Sequence, residues 1–154
     1  MLNEGDQVPD VTMEGPQGKP VSPADFRGNK LVVYFYPKDD TSGCTAEAQA
    51  FTALAEEFEK AGTWILGVSK DNAKSHAKFT EKYGLKVPLA TDPDGSVCEA
   101  FGTWVEKSMY GRKYMGIERA TFLVDRDGVV KTVWRKVKVT GHAEEVLAAA
   151  RELP

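Results

Sequence analysis

Two cysteines, Cys44 and Cys98, lie far apart in this chain of 154 residues, and the only histidines are His76 and His142. A cysteine reacts as its thiolate, so the residues around each sulfur decide whether it can do chemistry. Cys44 closes a run that begins with Leu31, Val32, Val33, Tyr34, Phe35 and Tyr36, an apolar, β-branched and aromatic stretch that predicts a buried strand. Pro37 ends it, because proline cannot donate to the ladder. Lys38, Asp39 and Asp40 make a polar turn, followed by Thr41, Ser42, Gly43 and Cys44. Ala48, Phe51, Leu54, Ala55 and Phe58 then recur at helical spacing. Cys44 is thus expected in the first turn of a helix at the carboxyl end of a buried strand, the edge where open α/β sheets bind ligands. Unpaired N–H groups and the positive dipole end there favour a thiolate.

The elements that must hold this junction follow from the rest of the pattern. Residues 1–30 are rich in Gly and Pro and predict short strands near 11–13 and 19–21. Ser22, Pro23 and Phe26 carry the signals of a capped helical turn, with Val21 stapling to Phe26. Gly62 stops the Cys44 helix, and residues 63–69 (TWILGVS) predict a second strand. Asp71 is expected to cap a helix running to Tyr83, with Gly84 as its stop. Residues 87–90 predict a short strand, and Ser96 with Glu99 a capping box for a short helix ending near Gly102. Residues 104–117 read as a loop rich in Lys, Arg, Tyr and Met. Strands at 120–124 and 129–137 are joined by Asp125-Arg126-Asp127-Gly128, a hairpin signal. A last amphipathic helix opens at Gly141-His142 with Val146, Leu147 and Ala150 inward. Early strands that need crossovers, with a closing antiparallel hairpin, predict one α/β domain over 1–154: a mixed sheet with helices on both faces, the thioredoxin-like three-layer sandwich.

Pro37, Thr41 and Cys44 reproduce the spacing Pro-x-x-x-Thr-x-x-Cys, and the chain resembles the peroxiredoxins on that motif. The segment YFYPKDDTSGCT is similar to the subgroup called peroxiredoxin Q, or bacterioferritin comigratory protein, and the likeness extends from about Gly5 to the C-terminus. The resemblance implies a thiol peroxidase that reduces hydrogen peroxide or organic hydroperoxides through a sulfenic acid at Cys44. It further implies that Thr41 hydrogen-bonds the peroxide and that Pro37 packs over Cys44 to keep water from its sulfur. Arg119 would hold the thiolate and the peroxide oxygen, and Glu47 would orient Arg119. Read without the family, Thr41 is a helix cap, Pro37 a strand terminator, Arg119 a surface partner of Glu118, and Glu47 an ordinary first-turn acid.

The sequence departs from the subgroup at two places. Ser42 stands where many members have proline, a matter of turn shape. Gln49 stands where many members carry a resolving cysteine, and no cysteine occurs between Asp71 and Tyr83 either. Cys98 remains, in the first turn of the Ser96 helix. It reads as a small residue packed against the sheet or, since a helix start would favour its thiolate, as a resolving thiol. We therefore expect a one-cysteine mechanism with an external reductant such as thioredoxin, glutaredoxin or glutathione. A Cys44–Cys98 two-cysteine enzyme and a redox-sensing module with little turnover are the alternatives. A thioredoxin-type oxidoreductase would want Cys-x-x-Cys, and Cys44 is followed by Thr45, Ala46 and Glu47. A glutathione peroxidase fits the Thr and Pro spacing less well.

Other features carry less. His76 shares helical spacing with Phe79 and Tyr83 and reads as a core-edge histidine, while His142 is expected on the surface. Two dispersed histidines and two cysteines give no metal-ligand spacing, so neither metal nor cofactor is expected. A net charge of −3 argues against a nucleic-acid binder, and no run approaches the ~18 apolar residues of a membrane helix. The first ten residues, MLNEGDQVPD, lack the basic and apolar regions of a secretory signal, and two cysteines suit a reducing compartment, so a cytoplasmic protein is expected, a monomer or weak homodimer. Lys131, Arg135, Lys136 and Lys138 read as the solvated side of an outer strand. Trp104, Met109, Tyr110, Tyr114 and Met115 could wall a peroxide pocket, dock a partner or simply pack.

Overall fold

The computed structural model describes residues 2–154. At its centre lies β3 (Lys30–Phe35), buried at every position. The parallel strand β4 (Thr63–Ser69) flanks it on one side and the antiparallel β8 (Ala120–Val124) on the other. The short strands β1 (Met13–Glu14) and β2 (Pro20–Val21), with β5 (Leu89–Thr91) and β9 (Val130–Trp134), complete seven strands in the order β2-β1-β5-β4-β3-β8-β9. The expected mixed sheet is present, and β9 is shorter than residues 129–137.

Alternation along β3 divides the core in two. Val32 and Tyr34 point to the face packed by α1 (Ser42–Ala53), α2 (Ala55–Lys60), α3 (Ala73–Tyr83) and α5 (His142–Glu152). Leu31, Val33 and Phe35 point to the other, packed by α4 (Ser96–Phe101) and the N-terminal segment through Leu2, Val8 and Met13. Helices therefore cover both faces, as the thioredoxin-like reading requires. The Cys44 helix breaks at Leu54 (φ −102°, ψ 6°) and resumes as α2, so Phe51 and Phe58 both still reach the sheet.

Several local expectations change. Asn72, not Asp71, caps α3, its side chain accepting from Ser75 N at 2.8 Å. Asp71 is taken up by Asp39 N and the Ser69 hydroxyl at 2.9 and 2.7 Å. The Ser96–Glu99 capping box does not form, because the fully buried Asp92 carboxylate accepts from Val97 N and Cys98 N at 3.2 and 2.7 Å. The stretch 104–117 is no loop but a hairpin, β6 (Trp104–Met109) with β7 (Arg112–Ile117), forming a separate two-stranded sheet. Tyr110 and Gly111 turn it, both with left-handed φ (52° and 78°), as a two-residue hairpin turn requires. Its Met109, Tyr110, Tyr114 and Met115 are exposed rather than packed. Among the described residues no helix is long and apolar enough to cross a membrane.

Candidate active site

Antiparallel register sets Ala120 opposite Phe35, so Arg119, the residue before β8, arrives beside the carboxyl end of β3. From that same end the chain passes through the exposed Pro37 and residues 38–41 into α1. Cys44 is the third residue of α1 and 2% exposed. Glu47 follows one turn later on the same face, 1% exposed. Arg119 bridges the two: Nη1 donates to Glu47 Oε1 at 2.7 Å and Nη2 donates to Cys44 Sγ at 3.3 Å. Arg119 is therefore not the surface partner of Glu118, which accepts instead from Arg135 Nε at 2.5 Å.

The electrostatics match this geometry. Burial pushes the Glu47 carboxyl up to about 7, with the Arg119 guanidinium opposing the rise. Arg119 stays above its ordinary range although its own burial works against that, because Glu47 and then Cys44 favour its charged form. Glu47 Oε2 has no hydrogen-bond partner among the described residues, so the pairing rests on one oxygen. Thr41 occupies the N-cap position of α1 in extended conformation but does not cap through its side chain. Its hydroxyl donates to the Lys38 carbonyl at 2.8 Å, which leaves the oxygen's lone pairs directed elsewhere.

Cys98 lies on the opposite face. It belongs to the core with Leu31 and Val33, whereas Cys44 belongs to the core with Val32 and Tyr34, and the sheet stands between them. Its place at a helix start does not favour a thiolate. Burial pushes the Cys98 thiol far up, and the Asp92 carboxylate that occupies the helix N–H groups adds to the rise. Both histidines pair with groups other than the sulfur. His76 is buried, as its spacing suggests, with Nδ1 2.7 Å from Asp39 Oδ2. His142 is buried too, contrary to the surface expectation. Its Nε2 pairs with the Thr121 hydroxyl at 2.8 Å while Phe51 and Trp134 meet its ring edge-on.

Three residues around the site escape sequence reasoning. Gly43 leaves room for Arg119, since a Cβ there would stand 3.1 Å from Nη2. Glycine in a first helical turn was the available signal. Lys107, on β6, is held below the usual lysine range by burial and then by Arg119, with Cys44 opposing, so it is a second cation in electrostatic reach of the sulfur. Nothing in the sequence sets it apart from its neighbours. Asp39 reads as a turn residue but is 8% exposed and heavily hydrogen-bonded.

A cysteine at a helix start, with an arginine fixed on its sulfur by a buried glutamate at the rim of a thioredoxin-like sheet, defines a thiol-chemistry site of the peroxidase kind. Comparison with known proteins agrees. The AhpC/TSA family profile matches residues 4–133. The chain is 55% identical to Peroxiredoxin Bcp of Xanthomonas campestris over 124 residues, 80% of this chain and 78% of that protein. It is 42% identical to Peroxiredoxin Bcp of Bacillus subtilis over 149 residues, 97% and 95% of the two chains. A solved structure of X. campestris bacterioferritin comigratory protein, reported for its alkyl peroxide reduction activity, superposes with a TM-score of 0.90 at 46% identity, covering 97% of this chain and 98% of that one. The chain belongs to the AhpC/TSA family and is a peroxiredoxin-type thiol peroxidase, acting on a peroxide with a thiol as reductant. Within the family its relatives are those called Bcp or peroxiredoxin Q.

Proposed function

We propose that the chain, as one domain over 1–154, reduces hydrogen peroxide and organic hydroperoxides through Cys44 alone. The Arg119 guanidinium on the Cys44 sulfur, anchored by Glu47, is the observation that carries this reading. The thiolate attacks a peroxide oxygen, a sulfur–oxygen bond forms as the oxygen–oxygen bond breaks, and the leaving oxygen departs as water or an alcohol after taking a proton. Cys44 is left as sulfenic acid, two electrons oxidised. Arg119 stabilises the charge on the leaving oxygen with a donor already in place, so no reorganisation is needed during reaction. Thr41, its lone pairs free, accepts from the peroxide O–H, and Pro37 shields the sulfur from water. An external thiol attacks the sulfenic sulfur, water leaves, and a second thiol frees Cys44. The alkyl peroxide activity reported for the X. campestris protein supports organic hydroperoxides among the substrates. Thioredoxin, glutaredoxin or glutathione are the candidate reductants, and we assign a cytoplasmic monomer or weak homodimer.

Separation of the two sulfurs by the sheet speaks against Cys98 as an internal resolver. One equivalent of hydrogen peroxide on the reduced protein, with intact mass measured beside Cys98→Ser, tests the reading. A gain of one oxygen in both proteins is expected. A loss of two hydrogens that disappears in the variant would make Cys98 the resolving thiol, and a single oxidation without turnover on added thioredoxin, glutaredoxin or glutathione would make the protein a sensor.

A further inference from the structure

The segment 37–41 carries two of the site residues, yet its side chains are fastened to a helix from another part of the chain. Asp39 lies midway between Pro37 and Thr41. Its carboxylate accepts from the Tyr36 hydroxyl at 2.5 Å, from His76 Nδ1 at 2.7 Å and from the Ser75 hydroxyl at 2.8 Å. Two of those three donors belong to α3. The Asp39 backbone N–H donates to Asp71 just before α3, and the next residue, Asp40, accepts from Lys82 and Tyr83 at its far end, at 2.8 and 2.5 Å. Asp40 is left-handed (φ 57°), a conformation that an aspartate tolerates but that needs outside support to persist.

His76 is the inner member of this clamp. It is 5% exposed, and its other ring nitrogen, Nε2, lies 3.1 Å from the Ala90 carbonyl in β5. With Nδ1 against the carboxylate and Nε2 against the carbonyl, the ring ties the segment 37–41 through α3 to the sheet. The hydrogen bonds to Asp39 hold its carboxyl below the usual carboxylate range against the effect of its burial. The geometry points to His76 as a positioning residue: acting through Asp39, it fixes the segment that sets Pro37 and Thr41 against Cys44. Errors of an ångström in such placement cost up to ~100-fold in rate, so the clamp bears directly on peroxide reduction. It rests on Cys44 being the residue that peroxide oxidises.

The test separates the two hydrogen bonds of one ring. Asparagine presents its amide nitrogen where Nδ1 stands and can still donate to Asp39. Glutamine presents it where Nε2 stands and can donate only to Ala90. The second-order rate of Cys44 oxidation by hydrogen peroxide is measured for His76→Asn and His76→Gln, with the thermal midpoint of each. His76→Gln is expected to be slower by about tenfold, with His76→Asn within about threefold of the parent and the midpoints alike. Equal rates in the two variants, whether both fast or both slow, would overturn the inference. Should His76→Gln not fold, Ser75→Ala removes another donor from the same carboxylate, and an unchanged oxidation rate there overturns it too. A parent protein that is not oxidised at Cys44 would instead sink the peroxidase reading itself.

Discussion

Glu47 and Arg119 meet at 2.7 Å although the carboxyl is buried to 1% exposure and its second oxygen has no partner. Burial therefore outweighs the guanidinium and lifts the carboxyl from 4.5 to about 7. A raised acid holds its proton more tightly folded than unfolded, so stability falls as pH rises from about 4.5 to about 7 and is flat above. The difference amounts to roughly 3–4 kcal/mol. Denaturant midpoints taken between pH 4.5 and 8 should show this decline in the parent and not in Glu47→Gln. Parallel profiles in the two proteins would contradict it.

Gly43 predicts opposite signs for stability and rate. Alanine is the better helix former by about 0.5–1 kcal/mol, so Gly43→Ala should raise the thermal midpoint slightly. The new Cβ would stand 3.1 Å from Arg119 Nη2 and displace it from the sulfur. Oxidation of Cys44 by hydrogen peroxide should slow by about three- to tenfold. A variant both stabler and as fast as the parent would show that Arg119 has room to spare.

Cys98 should be inert while the protein is folded. It is wholly buried, and burial with the adjacent Asp92 pushes its thiol far above the usual cysteine range. Iodoacetamide at pH 8 followed by peptide mapping should label Cys44 and leave Cys98 unmodified until denaturant is added. Labelling of both at similar rates would mean that α4 opens readily.

His142 should stay neutral where a free histidine is half charged. Burial lowers its pKa, Arg119 adds to this, and Glu145 opposes it. Because the unfolded chain takes up this proton first, the group's contribution to stability is present above about 6.5 and lost as pH falls below it. Imidazole resonances in an NMR titration should place the His142 midpoint below 6.5. A midpoint at or above that value would refute its burial against Phe51 and Trp134.

The strand 31–36 and the helix start at Cys44 were legible because their signals are local: an apolar run, a proline, a helical period. Arg119 was legible only by likeness to a family. Its approach to Cys44 depends on the register of β8 against β3, and no local pattern encodes a pairing between residues so far apart in the chain. The hairpin β6–β7 reads as a loop in the sequence because neither of its faces is well buried, so the apolar–polar alternation of a half-buried strand never appears. Tyr110-Gly111 is its one local signal. The caps differ from the expected ones where an alternative lies nearby: Asn72 beside Asp71, and Asp92 reaching forward to the start of α4.

That hairpin belongs to no larger sheet, and its twelve strand residues share a single ladder, anchored to the core only at its base by Trp104 and Ile117. A lone two-stranded ribbon is marginal in water, so its amides should be among the first to exchange with deuterium, long before those of β3 and β8. The chain passes from one regime to the other within the two residues Glu118 and Arg119. The guanidinium that meets the sulfur is thus carried on the two-residue link between an isolated ribbon and a strand of the central sheet.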